Sequence, residues 1–289
     1  MRTFHDCLPC FVGQAVAALE RCGVDDDTFE TAMRAVFTEL AGIDLNATPP
    51  ATGRRLYGII RRTTGRPDPY AAEKKHSNQL ALDLLAELKP RLDRAPDGFL
   101  ARLRLAVAGN SIDYGRYGRL DESRVVETLQ AAWEAPLDRN EADALRSALR
   151  DAADVLYLCD NAGEIAFDRL LVEFLPHEHI TCVVRGRPVL NDATLADAEQ
   201  VGLTEVVEVI DNGSDAPGTL LEHCSETFRA RFAAADLIVA KGQGNYETLS
   251  DVRGKRIFFL LQVKCPLIAR DVGQPVGRLV VQGRPPFPT

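Results

Sequence analysis

The sequence predicts an α/β fold, a parallel sheet flanked by helices and preceded by an all-helical lobe. Two observations carry this. From residue 153 onward, apolar runs of four to seven residues alternate with segments of helical spacing: Val155–Cys159, Ile180–Val184, Val206–Ile210, Leu237–Ala240 and Ile257–Val263. Runs that are apolar on both faces and separated by helices belong to a parallel sheet covered on each side. Before that point apolar residues recur instead with a period close to 3.6. A helical lobe over 1–150 and an α/β lobe over 151–289 are therefore expected.

In order along the chain, Phe11, Val12, Ala15, Val16 and Leu19 mark a first helix. Asp27 is read as the cap of a second, with Phe29, Met33, Val36, Phe37 and Leu40 on one face. Pro49-Pro50 is read as a break before a helix through Leu56, Ile59 and Ile60, and Gly65–Tyr70 as a proline-bearing loop. Helices follow at about 71–88, 99–108, 121–134 and 140–152, with the turn AGNSIDYG (108–115) between the second and third of these. The tail from Gly283 holds three prolines and reads as a loose end.

Composition narrows the function. The chain has 289 residues, 46% hydrophobic and 26% charged, with a formal charge of −8. That charge argues against a general nucleic-acid binder, which needs a basic stripe. It leaves room for a phosphorylated substrate, because a lysine and a metal can reverse the local field. No apolar run approaches the roughly 20 residues of a membrane span. The start MRTFHDCLPC lacks the charged and apolar regions of a signal peptide, so a cytoplasmic location is expected.

In a parallel sheet the C-terminal strand tips share one rim. Here they carry Asp160-Asn161, then Arg185 with Asn191-Asp192 after it, Asp211-Asn212-Gly213, Lys241-Gly242-Gln243-Gly244-Asn245, and Lys264-Cys265. Carboxylate and amide oxygens without histidine suit Mg²⁺, Mn²⁺ or a similar hard ion. Asp160, Asn161 and Asp192 would supply three oxygens, Lys241 and Lys264 would meet phosphoryl oxygens, and the glycines beside Gln243 would let backbone N–H groups approach an anion. A plainer reading competes at each position: Asp or Asn between strand and helix is often only an N-cap, stabilising by about 1 kcal/mol. The joint pattern over several tips favours chemistry. Asp211-Asn212-Gly213 reads as a plain turn.

CDNAGEIAFD (159–168), GRPVLNDAT (186–194), KGQGNYETL (241–249) and FFLLQVKCP (258–266), with AGNSIDYG (108–115), together resemble the damage-control phosphatase family, long classed as a domain of unknown function. The N-terminal CLPC resembles its stand-alone prokaryotic branch. The resemblance implies a helical lobe on a Rossmann-like α/β lobe and divalent-metal-dependent hydrolysis of phosphate monoesters. The substrates implied are small phosphorylated metabolites, either sugar phosphates or damaged phospho-metabolites. It implies Asp160, Asn161 and Asp192 as ligands of Mn²⁺, Co²⁺, Ni²⁺ or Mg²⁺, and Lys264 as the phosphate-contacting lysine. It also implies a substrate pocket lined by Lys241, Gly242, Gln243 and Asn245, with Asn110 and Asp113. Where eukaryotic members carry an arginine-threonine pair, this chain has Leu261-Gln262-Val263. Either a metal-activated water or Asp160 would attack phosphorus.

Seven cysteines, an odd number scattered along the chain, make a poor disulfide framework. Cys7 and Cys10 admit three readings: packing, a redox pair, or a second metal site with Cys265 or His5. Two other functions stand beside the phosphatase. One is a carboxyl methyltransferase, suggested by the first description of one family member; the other is a non-catalytic metal- or nucleotide-binding protein.

Overall fold

The computed structural model describes residues 1–112 and 122–284. Asp113 and residues 285–289 thus lie outside the described residues. The first half is helical: α1 (Leu8–Cys22), α2 (Asp26–Ala41), α3 (Pro49–Thr64), α4 (Ala71–Leu92), α5 (Gly98–Ala108), α6 (Glu122–Ala131) and α7 (Arg139–Asp151). Strands and helices then alternate through β1 (Val155–Leu158), α8 (Glu164–Phe174), β2 (Ile180–Val184), α9 (Leu195–Gln200), β3 (Glu208–Asp211) and α10 (Glu226–Ala234). They continue through β4 (Leu237–Lys241), α11 (Gly242–Leu249), β5 (Ile257–Gln262), α12 (Pro266–Val272) and β6 (Leu279–Arg284).

The sheet order is β3-β2-β1-β4-β5-β6. Strands β1 to β5 pair in parallel, as their apolar runs predict. Strand β6 is the departure: it pairs antiparallel to β5, from Gln262 opposite Leu279 to Ile257 opposite Arg284. Gly283 and Arg284 therefore belong to the sheet edge, not to a loose tail. Succession runs outward from β1 to β2 and β3, then crosses back to β4. The switch point lies between β1 and β4, and ligands of open α/β sheets bind outside the strand ends there.

Helical capping corrects two local readings. Asp25, not Asp27, caps α2, its carboxylate accepting from Thr28 N at 2.8 Å. Pro49 and Pro50 do not precede α3; they are its first residues, where proline's missing N–H costs nothing. Packing also shows that the core does not part at residue 150. Leu103 and Val107 of α5 and Leu145 of α7 share one buried cluster with Tyr157 of β1 and Phe167 of α8. The other sheet face buries Phe228 of α10, Tyr246 of α11 and Ile268 of α12. Helices α1 to α3 keep a separate small core, closed by Val189 and Leu190 from the segment after β2. No described helix is long and apolar enough to cross a membrane.

Candidate active site

The segment after β1 is fastened to the segment after β2 by backbone. Ala193 N donates to Asp160 O and Ala162 N to Asn191 O, both at 2.8 Å, and Asn161 and Asp192 form an antiparallel bridge. This brings Asp192 to Asp160 and Asn161, from which it is 32 and 31 residues distant in sequence. Arg185, at the tip of β2, lies behind them and is 1% exposed. Its Nε donates to Asp192 Oδ2 at 2.7 Å and its Nη2 stands 3.5 Å from Asp160 Oδ1.

A second layer sets the orientation of these side chains. Asn161 Nδ2 donates to Asp160 Oδ2 at 2.9 Å and to Glu164 Oε2 at 2.8 Å. With its nitrogen directed at carboxylates, the amide oxygen is the atom left for the cavity that Asn161 lines. Asn110 Nδ2 donates to the same two oxygens, at 3.1 Å and 2.9 Å, while its Oδ1 accepts from Gln262 N on β5 at 3.2 Å. Asn110 is thus a buried brace behind Asp160 and does not line the cavity.

Lys241 is where the structure departs most from expectation. Its ammonium does not face the cavity; it is fully buried and donates to Glu164 Oε1 and Asp168 Oδ1 at 2.6 Å each, and to Ala106 O at 2.9 Å. Those contacts use all three N–H donors. Burial works against the Lys241 charge, but Asp168 and Glu164 overcome it and raise its pKa. Burial pushes Asp168 up to about 6 against the pull of Lys241. Asn245 is also internal: its amide donates to Lys241 O at 2.7 Å and accepts from Thr219 Oγ1 at 2.8 Å. Residues 241–245 are therefore not a turn, since α11 begins at Gly242. Glycine is required there, with φ of 76° and a Cβ that would fall 1.8 Å from Asp160 Oδ2.

Asp160, Asn161, Asp192, Lys264 and Gln243 line one cavity of about 210 Å³ at the switch point. Lys264 lines the same cavity, and its charge pulls the Asp160 pKa down, helping to hold the carboxylate charge. Burial, then repulsion from Asp192 and Glu164, nevertheless drive the Asp160 pKa well above the carboxylate range. The donor set suits a hard divalent cation: two buried carboxylates that repel each other, with an amide oxygen beside them and room for water and substrate.

Cys7, Cys10 and Cys265 line the same cavity, from α1 and the start of α12, and all cysteines are free thiols. Among the described residues no three His, Cys, Asp or Glu side chains are disposed to hold a metal, so nothing supports the second site considered above. His5 points elsewhere, its side chain 86% exposed. Burial pushes Cys7 up to about 11, the opposite of a redox thiolate.

Glu247 also lines the cavity, and burial pushes its carboxyl up to about 7, while the Gln243 amide at 2.8 Å pulls it down. The native state thus keeps a proton that the unfolded chain releases, so stability falls as pH rises from about 4.5 through about 7. Glu247→Gln is expected to stabilise the protein by roughly 2–3 kcal/mol at pH 8 and hardly at all at pH 4, read by urea unfolding at both pH values.

A mostly parallel sheet with an oxygen-lined, lysine-bearing cavity at its switch point has the layout of an α/β protein that takes a small molecule at its strand ends. The family model for the damage-control phosphatase ARMT1-like domain matches residues 3–280, and the chain belongs to this family. It is 32% identical to the Pyrococcus horikoshii protein named damage-control phosphatase, covering 97% of both chains. It is 37% identical to an Archaeoglobus fulgidus protein of that name, covering 79% of each. An uncharacterized Methanocaldococcus jannaschii protein is 34% identical, over 96% of this chain and 94% of that one. The crystal structure of a DUF89 family protein from P. horikoshii superposes with a TM-score of 0.87 at 30% identity, covering 98% of this chain and 99% of that one.

Proposed function

We propose that the protein is a divalent-metal-dependent phosphatase acting on phosphate monoesters of small metabolites, sugar phosphates or damaged phospho-metabolites. The observation that supports this most is the convergence of Asp160, Asn161, Asp192 and Lys264 on one cavity. Asp160, Asp192 and the Asn161 amide oxygen would hold the ion, which when bound supplies Lewis-acid polarisation and charge compensation to a phosphoryl oxygen. Lys264 offsets the negative charge that grows on the other phosphoryl oxygens. The contacts of Asp160 favour a ligand over a nucleophile: its Oδ2 accepts two amide N–H groups and its Oδ1 faces Arg185. Water is therefore the attacking group, forming the new P–O bond as the ester P–O bond breaks; the leaving oxygen takes a proton from solvent. The methyltransferase alternative gains no support, because β1 is followed by Cys159-Asp160-Asn161 and not by a glycine-rich cofactor loop.

The test is a panel of sugar phosphates and phospho-cofactors, offered to chelator-treated protein with Mn²⁺, Co²⁺, Ni²⁺ or Mg²⁺ added back. Turnover is expected only with metal. A single turnover in ¹⁸O-water should place the label in phosphate and none in the protein. Hydrolysis with no metal requirement, or none with any pairing, sinks the proposal.

A further inference from the structure

Helix α3 lines two cavities. Pro49, Pro50 and Gly53 in its first turns border the candidate active site. Its later turns border a second cleft of about 620 Å³. Five arginines line this cleft: Arg54, Arg55, Arg61, Arg62 and Arg187. Among the described residues two carboxylates, Glu39 and Asp215, stand against them, leaving a local charge of three positive on a chain whose formal charge is −8.

The carboxylates act as fasteners. Asp215 accepts from Arg54 Nε and from Arg61 Nη2, Arg61 Nη1 donates to Pro188 O at 3.1 Å, and Glu39 pairs with Arg55 at 2.6 Å. A guanidinium carries five N–H donors in a rigid fork, so these contacts anchor three planes and still leave donors over. Arg62 and Arg187 are exposed, and among the described residues neither guanidinium has a hydrogen bond or ion pair; Arg187 is tied by its backbone alone, its N–H donating to Ser214 O at 3.1 Å. Gly58 keeps space for Arg62, since a Cβ there would stand 3.2 Å from its Nη1.

We propose that this cleft is a second binding site, for a small metabolite carrying two or more phosphate groups, separate from the cavity at Asp160 and Asp192. Planar guanidinium forks match phosphate oxygens in pairs. The cleft is concave and of small-molecule size. A nucleic acid would need a basic stripe running beyond it, and the acidic remainder of the chain opposes that. The site is placed to influence the first one: Arg187 lies in the segment that carries Asp192, and α3 borders both cavities.

The probes are pyrophosphate and tripolyphosphate, titrated calorimetrically into the full chain after chelator treatment, so that binding is read without turnover. Saturable binding that weakens with added salt is expected. Replacing Arg62 and Arg187 together by alanine should weaken it at least tenfold without lowering Tm, since neither side chain has a partner to lose. Asp160→Ala should leave it unchanged. Equal affinity in the double variant, loss of binding in Asp160→Ala, or no saturation at millimolar concentrations would each overturn the assignment. So would tighter binding of a single-stranded oligonucleotide than of tripolyphosphate. Because the readout is binding, its failure is distinguishable from failure of the phosphatase reading.

Discussion

Lys241→Met is expected to destabilise the protein by about 3–5 kcal/mol, the usual consequence of removing one partner from a buried ion pair. The ammonium is wholly enclosed, and Glu164 and Asp168, which it neutralises, are enclosed with it. Without it the Asp168 carboxyl, which burial already pushes up to about 6, would hold more firmly a proton that the unfolded chain releases. The deficit should therefore grow as pH rises from 5 to 8, and urea unfolding at those two values checks the sign. If Lys241→Met does not fold, the triple variant with Glu164→Gln and Asp168→Asn removes every charge of the group and should recover much of the stability. Stability within 1 kcal/mol of wild type, with activity lost, would mean that Lys241 meets substrate, the role its place at a strand tip suggests.

That contrast shows what the residues disclose and what they hide. The strands were legible because each run is four or more residues long and, except in the edge strand β3, buried almost throughout. Strand β6 was not, since Leu279-Val280-Val281 is only three residues long and Gln282-Gly283-Arg284 follows. The convergence of Asp160, Asn161, Asp192 and Lys264 was legible because parallel strands place their ends on one rim. Which tip residues face the cavity depends on how far each strand runs, and β4 carries Lys241 into the interior as its last residue. A signal for this was present: Glu164 and Asp168 are four residues apart on α8, among Ile165, Ala166, Phe167 and Leu171, all buried. Two carboxylates on so apolar a helix require a buried cation, and β4 ends in one. Arg185, closing the apolar run ITCVV, was visible as a strand tip, but nothing in the sequence showed that it would underpin both Asp160 and Asp192. Glu247 gave no signal, because its position follows from how α11 meets the N-terminal segment. The same limit applies to the arginines of α3, whose grouping with Arg187 is a product of folding.

The second large effect is expected from Asp160→Ala, which should lower kcat/KM by at least about 10³-fold and abolish the response to metal. A ligand that binds only the native state raises Tm in proportion to its occupancy. Mn²⁺ should therefore raise the Tm of wild type and not that of the variant. The fold should survive, because two opposing terms change together. The variant loses the acceptor of the Asn110 and Asn161 amides, at about 1 kcal/mol each. It also loses a carboxylate whose charge is opposed by burial and by Asp192 and Glu164. Asp160→Asn separates the two, since it keeps an acceptor oxygen for those amides while removing the charge. It should be at least as stable as metal-free wild type and equally blind to Mn²⁺. An Asp160→Asn protein that still gains stability from Mn²⁺ and turns over would place the cation elsewhere in the cavity. Loss of activity with the metal-induced Tm rise intact would instead make Asp160 a catalytic group that does not hold the ion. The two readouts together thus separate a ligand from a nucleophile at the same residue.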